Sequence, residues 1–247
     1  MNPFRILGWF FSGKQKGGMS SLLLTTALAV GGGYVGVKKT DAGASLFDQV
    51  LMTGMEKLGS SKKDILIKRV NNAQEVQEDA AEVFTSALDE FKAVSGFQGG
   101  ELEAQYNKLK GAYDRSEKAA NRVTTRIDQV IRASNRLITE WESELEQYSN
   151  PSMREKSATM LLKTRNQCQS FVEALGEAED RIEPVLTALR DNTTFLKHNL
   201  NSQAIASLQD DVVIVQNDVE ALLKEMRASI EEAKVFIETL EANPTGG

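Results

Sequence analysis

The chain has 247 residues, with a formal net charge of −6, 26% charged and only 6% aromatic side chains, four prolines, one cysteine and one histidine. So few aromatics among so many charged residues fit long helices rather than a sheet-built domain, a single cysteine excludes an internal disulfide, and a single histidine excludes a two-histidine metal site. Charge is uneven: residues 1–44 carry Arg5, Lys14, Lys16, Lys38 and Lys39 against Asp41, a net of +4 that leaves −10 for the rest, so nucleic acid is disfavoured as a partner of the acidic main body.

Residues 1–18 read as a cytoplasmic or interfacial N-terminus. Phe4, Trp9, Phe10 and Phe11 precede Lys14 and suit a lipid interface, with a frayed terminus as the alternative. Residues 19–37, MSSLLLTTALAVGGGYVGV, carry no charge and as a helix span about 28 Å, just enough for a bilayer core. Glycines and threonines make this a marginal membrane segment. Arg5, Lys14 and Lys16 before it favour a cytoplasmic N-terminus, and Lys38 and Lys39 beyond it weaken that preference.

Two fates stay open for this segment. Retained, it anchors a single-pass protein of the bacterial inner membrane with its body in the periplasm; cleaved near Ala42-Gly43-Ala44, it leaves a soluble periplasmic protein. No cysteine lies near enough for a lipoprotein anchor. Gly32 and Gly36 form a G-x-x-x-G pair, a weak sign of helix dimerisation because Gly32 belongs to a glycine run.

Residues 38–61 read as a juxtamembrane linker and an amphipathic helix. Leu46, Phe47, Val50, Leu51, Met55 and Leu58 share one face, which can pack on the main body or lie on a membrane surface. Gly59-Ser60-Ser61 interrupts the helix, and a serine caps the next one.

From 62 to 242 apolar residues recur at alternating steps of three and four, the 3.5-residue period that keeps one seam facing partner helices. The first segment runs through Leu66, Val70, Ala73, Gln77, Ala80, Phe84, Ala87, Phe91 and Val94, and stops at the glycine-rich Gly96–Gly100, suited to a left-handed cap. The second uses Leu102, Tyr106, Leu109, Tyr113, Ser116, Ala120, Val123, Ile127, Val130, Ser134, Leu137, Trp141 and Tyr148, and ends at Ser149-Asn150-Pro151.

The third segment runs through Leu161, Thr164, Cys168, Phe171, Leu175, Ala178, Ile182, Val185 and Leu189 to the polar Lys197–Asn201. Pro184 deprives the Asp180 carbonyl of its donor, so a kink is expected. The fourth uses Ile205, Leu208, Val212, Val215, Val219, Leu222, Met226, Ser229, Ala233, Phe236 and Leu240; residues 243–247 read as a disordered tail. The expected fold class is all-α: a long antiparallel four-helix coiled-coil bundle of about 70 Å, preceded by one transmembrane or signal helix. The turns at Gly96–Gly100 and Lys197–Asn201 should share its far end, the first place to look for a binding surface.

No catalytic, cofactor-binding or metal residue is assigned, and no cofactor is expected. His198 reads as a helix C-terminal cation. Cys168 sits in the seam as a buried small hydrophobe. Glu140-Trp141-Glu142-Ser143-Glu144 supplies carboxylates on outward positions, Gly96–Gly100 lacks the residues of a phosphate loop, and Asn192-Thr193-Thr194 matches a glycosylation acceptor by chance inside a helix.

Four stretches carry a resemblance: MEKLGSSKKDILIKRV (55–70), ALDEFKAVSGFQGGELEAQYNKL (87–109), WESELEQYSNPSMREKS (141–157) and FLKHNLNSQAIASL (195–208). They resemble a bacterial family of unknown function, DUF2959, over about residues 52–241. The resemblance implies an exported helical protein of Gram-negative bacteria with no known activity. Members often begin with a lipoprotein-type signal, from which this chain departs.

The expected function is that of a non-enzymatic, membrane-anchored periplasmic scaffold or interaction protein with a protein partner and a capacity for homo-oligomers. The alternative is a membrane-remodelling or filament-forming coat protein of the cell envelope.

Overall fold

A computed structural model describes residues 62–97, 99–199 and 201–242, which belong to one unit spanning Ser60–Gly247. The expectations for residues 1–61 and 243–247 (the apolar run 19–37, the amphipathic stretch 45–58, the tail) lie outside the described residues. Those described form α1 (Lys62–Ser95), α2 (Leu102–Leu145), α3 (Pro151–Asp180), α4 (Ile182–His198) and α5 (Ser202–Ala242), with no strand among them. The all-α class is as expected. Among the described residues no helix is long and apolar enough to cross a membrane.

Each helix boundary has a local cause. At the end of α1, Ser95 Oγ donates to the Lys92 carbonyl at 2.9 Å and the Gly96 N–H to the same oxygen at 3.1 Å. The left-handed residues come later than a cap would place them, at Gly99 (φ 84°) and Gly100 (φ 100°), where the chain reverses. Asn150 caps α3 as its Oδ1 accepts from the N–H groups of Ser152 (3.0 Å) and Met153 (3.3 Å), with Pro151 in the first turn. Asn201 caps α5 through the Ala204 N–H at 2.9 Å.

The kink expected from Pro184 is a one-residue interruption at Arg181, between α3 and α4. Arg181 keeps right-handed helical dihedrals (φ −80°, ψ −12°). Proline in the first turn of α4 removes only an N–H that a new helix start would leave unpaired.

The helices pack through their seams. All nine named seam residues of α1 are buried, as are all nine of α3 and α4, and on α5 only Val212 is left half-buried. Phe84, Phe91, Phe171 and Phe236 are each at most 1% exposed; burial of one such ring stabilises by roughly 2–3 kcal/mol. Phe171 and Phe236 join α3 to α5 with ring centroids 5.6 Å apart.

The upper half of α2 departs from the expected seam. Leu102, Tyr106 and Tyr113 are half-buried, while Gln105 and Ala112 take the buried positions; Tyr148, expected to close the seam, lies past the end of α2 and is exposed. Tyr113 directs its hydroxyl to Glu117 Oε1 (2.8 Å) on the surface. A tyrosine keeps its polar tip wet at the flank of a seam, and alanine one residue earlier permits closer approach of the neighbouring backbone.

Polar contacts give the helix directions. Rising numbers on α1 meet falling numbers on α5: Gln74 Nε2 donates to the Ile230 carbonyl (3.2 Å), Gln77 bonds Ser229, and Gln209 Nε2 donates to the Ser95 carbonyl (3.0 Å). Lys62–Glu140 and Arg69–Gln129 show the same reversal between α1 and α2. The Trp141–Ser157 bond, with Ser134 near Cys168 and Thr124 near Glu179, shows it between α2 and the α3 side. The result is a helical bundle whose longest member, α2, has 44 residues and extends about 66 Å.

Candidate functional site

The residues singled out in the sequence do not converge. Cys168 is 1% exposed between α2 and α3. Burial pushes its thiol up to about 11, with the Ser134 hydroxyl holding it partly back. A thiol so placed is neutral and shielded, the reverse of what a nucleophile requires. His198 is the exposed last residue of α4, beside Lys197, where two basic side chains face the carbonyl end of the helix dipole.

The carboxylates of 140–144 divide between two roles. Glu140 is half-buried and takes Arg136 Nε at 3.1 Å and Lys62 Nζ, whereas Glu142 and Glu144 face outward. Trp141 between them is buried and donates its Nε1–H to Ser157 Oγ at 2.9 Å. Asn192 is 8% exposed and donates to the Ala188 carbonyl (3.0 Å), and Thr193 to the Leu189 carbonyl (2.6 Å). That amide is built into α4, not offered on a loop. Among the described residues no group of three or more His, Cys, Asp or Glu is arranged to hold a metal ion.

At the far end, Gln209, two turns into α5, grips the Ser95 carbonyl at the end of α1. Phe97 lies over the Gly100 backbone so closely that a Cβ there would come 3.0 Å from its Cζ. Asn199 bonds back to its own helix, donating through Nδ2 to the Phe195 carbonyl at 3.0 Å. The turn polar groups thus serve closure of the chain.

A concave surface occurs at the opposite end, which the sequence did not single out. Between the end of α2 and the start of α3 is a groove of about 360 Å³. Glu142 and Glu146 line its α2 side and Arg154 and Arg165 its α3 side; Arg165 Nη2 donates across to Glu142 Oε1. Leu145, Ala158, Leu161 and Leu162 line it between these charged residues. Leu162 in the lining is 57% exposed, and in the chain next to the lining residues Met153 is 55% and Tyr148 40% exposed. The available signal was Met153 and Leu162 standing off the heptad seam, each flanked by a basic residue. The surface can take up an apolar side chain between walls of opposite charge.

The family model described as "Protein of unknown function (DUF2959)" matches residues 52–240. No curated protein matches the chain.

Proposed function

The chain belongs to the DUF2959 family, and from that premise we propose that it is a non-enzymatic scaffold of the bacterial cell envelope. In this reading residues 19–37 hold it in the inner membrane and the helices form one long antiparallel four-helix coiled-coil rod in the periplasm, which presents surfaces to a protein partner. The observation that carries the reading is the unbroken run of α2, 44 residues along which buried positions recur to Trp141. Such a helix is a spacer of about 66 Å.

Charge supports the same division of labour. The uncharged stretch 19–37 follows Arg5, Lys14 and Lys16, which favour a cytoplasmic N-terminus against the opposing Lys38 and Lys39, and the remainder after residue 44 nets −10, which disfavours nucleic acid.

N-terminal sequencing of the mature chain from fractionated cells tests this. The expected result is an intact N-terminus in the inner-membrane fraction, with α1–α5 digested by protease added to spheroplasts. A mature terminus near residue 45 in the soluble periplasm would replace the anchor with a cleaved leader. An intact chain in the cytosol would overturn the reading.

A further inference from the structure

We infer that the groove between α2 and α3 is the contact surface of a parallel, two-fold dimer of this chain. Three features of the corner act together. Leu145, Leu161 and Leu162 line the groove between its charged walls, and Leu162 is 57% exposed. In the chain next to its lining residues, Met153 (before Arg154) and Tyr148 (two after Glu146) are exposed, a methionine and an aromatic of the kind that anchor interface cores. The walls carry opposite charges, Glu142 on α2 and Glu146 at its C-cap against Arg154 and Arg165 on α3, with Glu142 already bonded to Arg165 within the chain and Glu146 and Arg154 completing the two walls.

The charge arrangement selects the occupant. A two-fold axis parallel to the helices, running outside the groove, lays α2 of one copy over α3 of the other. The Trp141–Ser157 bond sets the two helices level at this end, so Glu146 then faces Arg154 of the second copy and the reverse, while Leu162 meets its own counterpart near the axis. An axis perpendicular to the helices lays α2 over α2, with Glu142 and Glu146 against like charge, an arrangement that electrostatics disfavours. Self-complementarity of this kind is what an isologous interface requires.

The parallel arrangement also puts Lys62 of both copies at one end, since Lys62 pairs with Glu140 on α2 near the groove. Two chains held in one membrane meet that requirement. A single corner falls below the roughly 1,000 Å² of a stable interface, so the dimer is weak when free and strengthened where a membrane raises the local concentration; only this strengthening rests on the anchor reading.

The test uses the full chain in a Cys168→Ala background, with Leu162→Cys or, as a control on α5, Val213→Cys. Cells and purified protein at high concentration are treated with a short bismaleimide. The expected result is a covalent dimer through position 162, at least tenfold above position 213. Glu146→Arg or Arg154→Glu added alone should abolish it, and co-expression of the two should restore a mixed dimer. No dimer through position 162 in either setting, equal yield at 213, or indifference to the charge reversals would overturn the inference. Fractionation of the linked product reads the anchor separately: a dimer in the soluble fraction sinks the membrane reading and leaves the interface standing.

Discussion

Gln77 on α1 and Ser229 on α5 meet inside the core, 1% and 0% exposed, with Gln77 Nε2 donating to Ser229 Oγ at 2.9 Å. The hydroxyl has one proton for two acceptors in range, Gln77 Oε1 at 3.1 Å and the Met226 carbonyl at 2.9 Å. A polar pair at a seam position allows one axial register of α1 against α5, because any slip leaves an amide buried without a partner.

Removal of one partner should therefore cost more than removal of both. Ser229→Ala leaves the Gln77 amide in the core and should destabilise by roughly 1–3 kcal/mol. Gln77→Leu combined with Ser229→Ala should return most of that, since an apolar pair of similar volume needs no partner. A double-mutant cycle from urea unfolding reads the coupling, and additive single effects would show that the pair is not a unit.

Two glycines should respond in opposite directions. Gly176 lies inside α3, and a Cβ added to it would have nothing within 4 Å, so Gly176→Ala should stabilise by about 0.5–1 kcal/mol through helix propensity and the unfolded chain. Gly100→Ala should destabilise by about 1–2 kcal/mol, as its φ is +100° and the new carbon meets Phe97 Cζ at 3.0 Å. Thermal melts of the two variants against the parent check both signs.

Cys168 should resist thiol reagents in the folded chain and react on unfolding. Its thiol is pushed from 9.0 to about 11 by burial, so the folded state holds its proton where the unfolded state has lost it. The associated stability is fully present below pH 9 and lost as pH rises towards 11, a change of up to about 3 kcal/mol. Denaturant unfolding from pH 8 to 11 should show this slope relative to Cys168→Ala; parallel profiles would refute it.

Glu179, half-buried near the Arg181 interruption, has its carboxyl raised by burial, with the Thr124 hydroxyl opposing and the Asp128 and Asp180 charges adding to the rise. A carboxyl raised on folding contributes stability at low pH that is lost as pH rises through its folded value. Glu179→Gln should raise the melting temperature at pH 7, and the gain should shrink as pH falls through the carboxylate range. A gain that is constant with pH would mean that ionisation is not its source.

Much of the bundle is legible in the sequence. The seams of α1, α3 and α4 match it residue for residue, because each apolar position recurs where only one helix face can be buried. Asn150 with Pro151 and the interruption near Pro184 are legible as well, since a cap or a missing N–H acts within a single turn. The α2 seam reads wrongly at Tyr106 and Tyr113, since periodicity does not distinguish a seam from its neighbour when adjacent residues, here Gln105 and Ala112, are also able to fill it. The groove is hidden for a related reason: it joins Glu142 and Glu146 to Arg154 and Arg165 across a turn.

By itself, then, the sequence determined the helices, most of their ends and the buried stripes of α1, α3, α4 and most of α5, because these depend on contacts within one or two turns. Tertiary structure alone decided the partners: Gln77 opposite Ser229, Trp141 on Ser157, Cys168 under Ser134, and opposed charges on the two walls of one groove. Those pairings depend on the register between helices, set by packing and by the cost of an unpaired polar group in the core, and no local pattern encodes it.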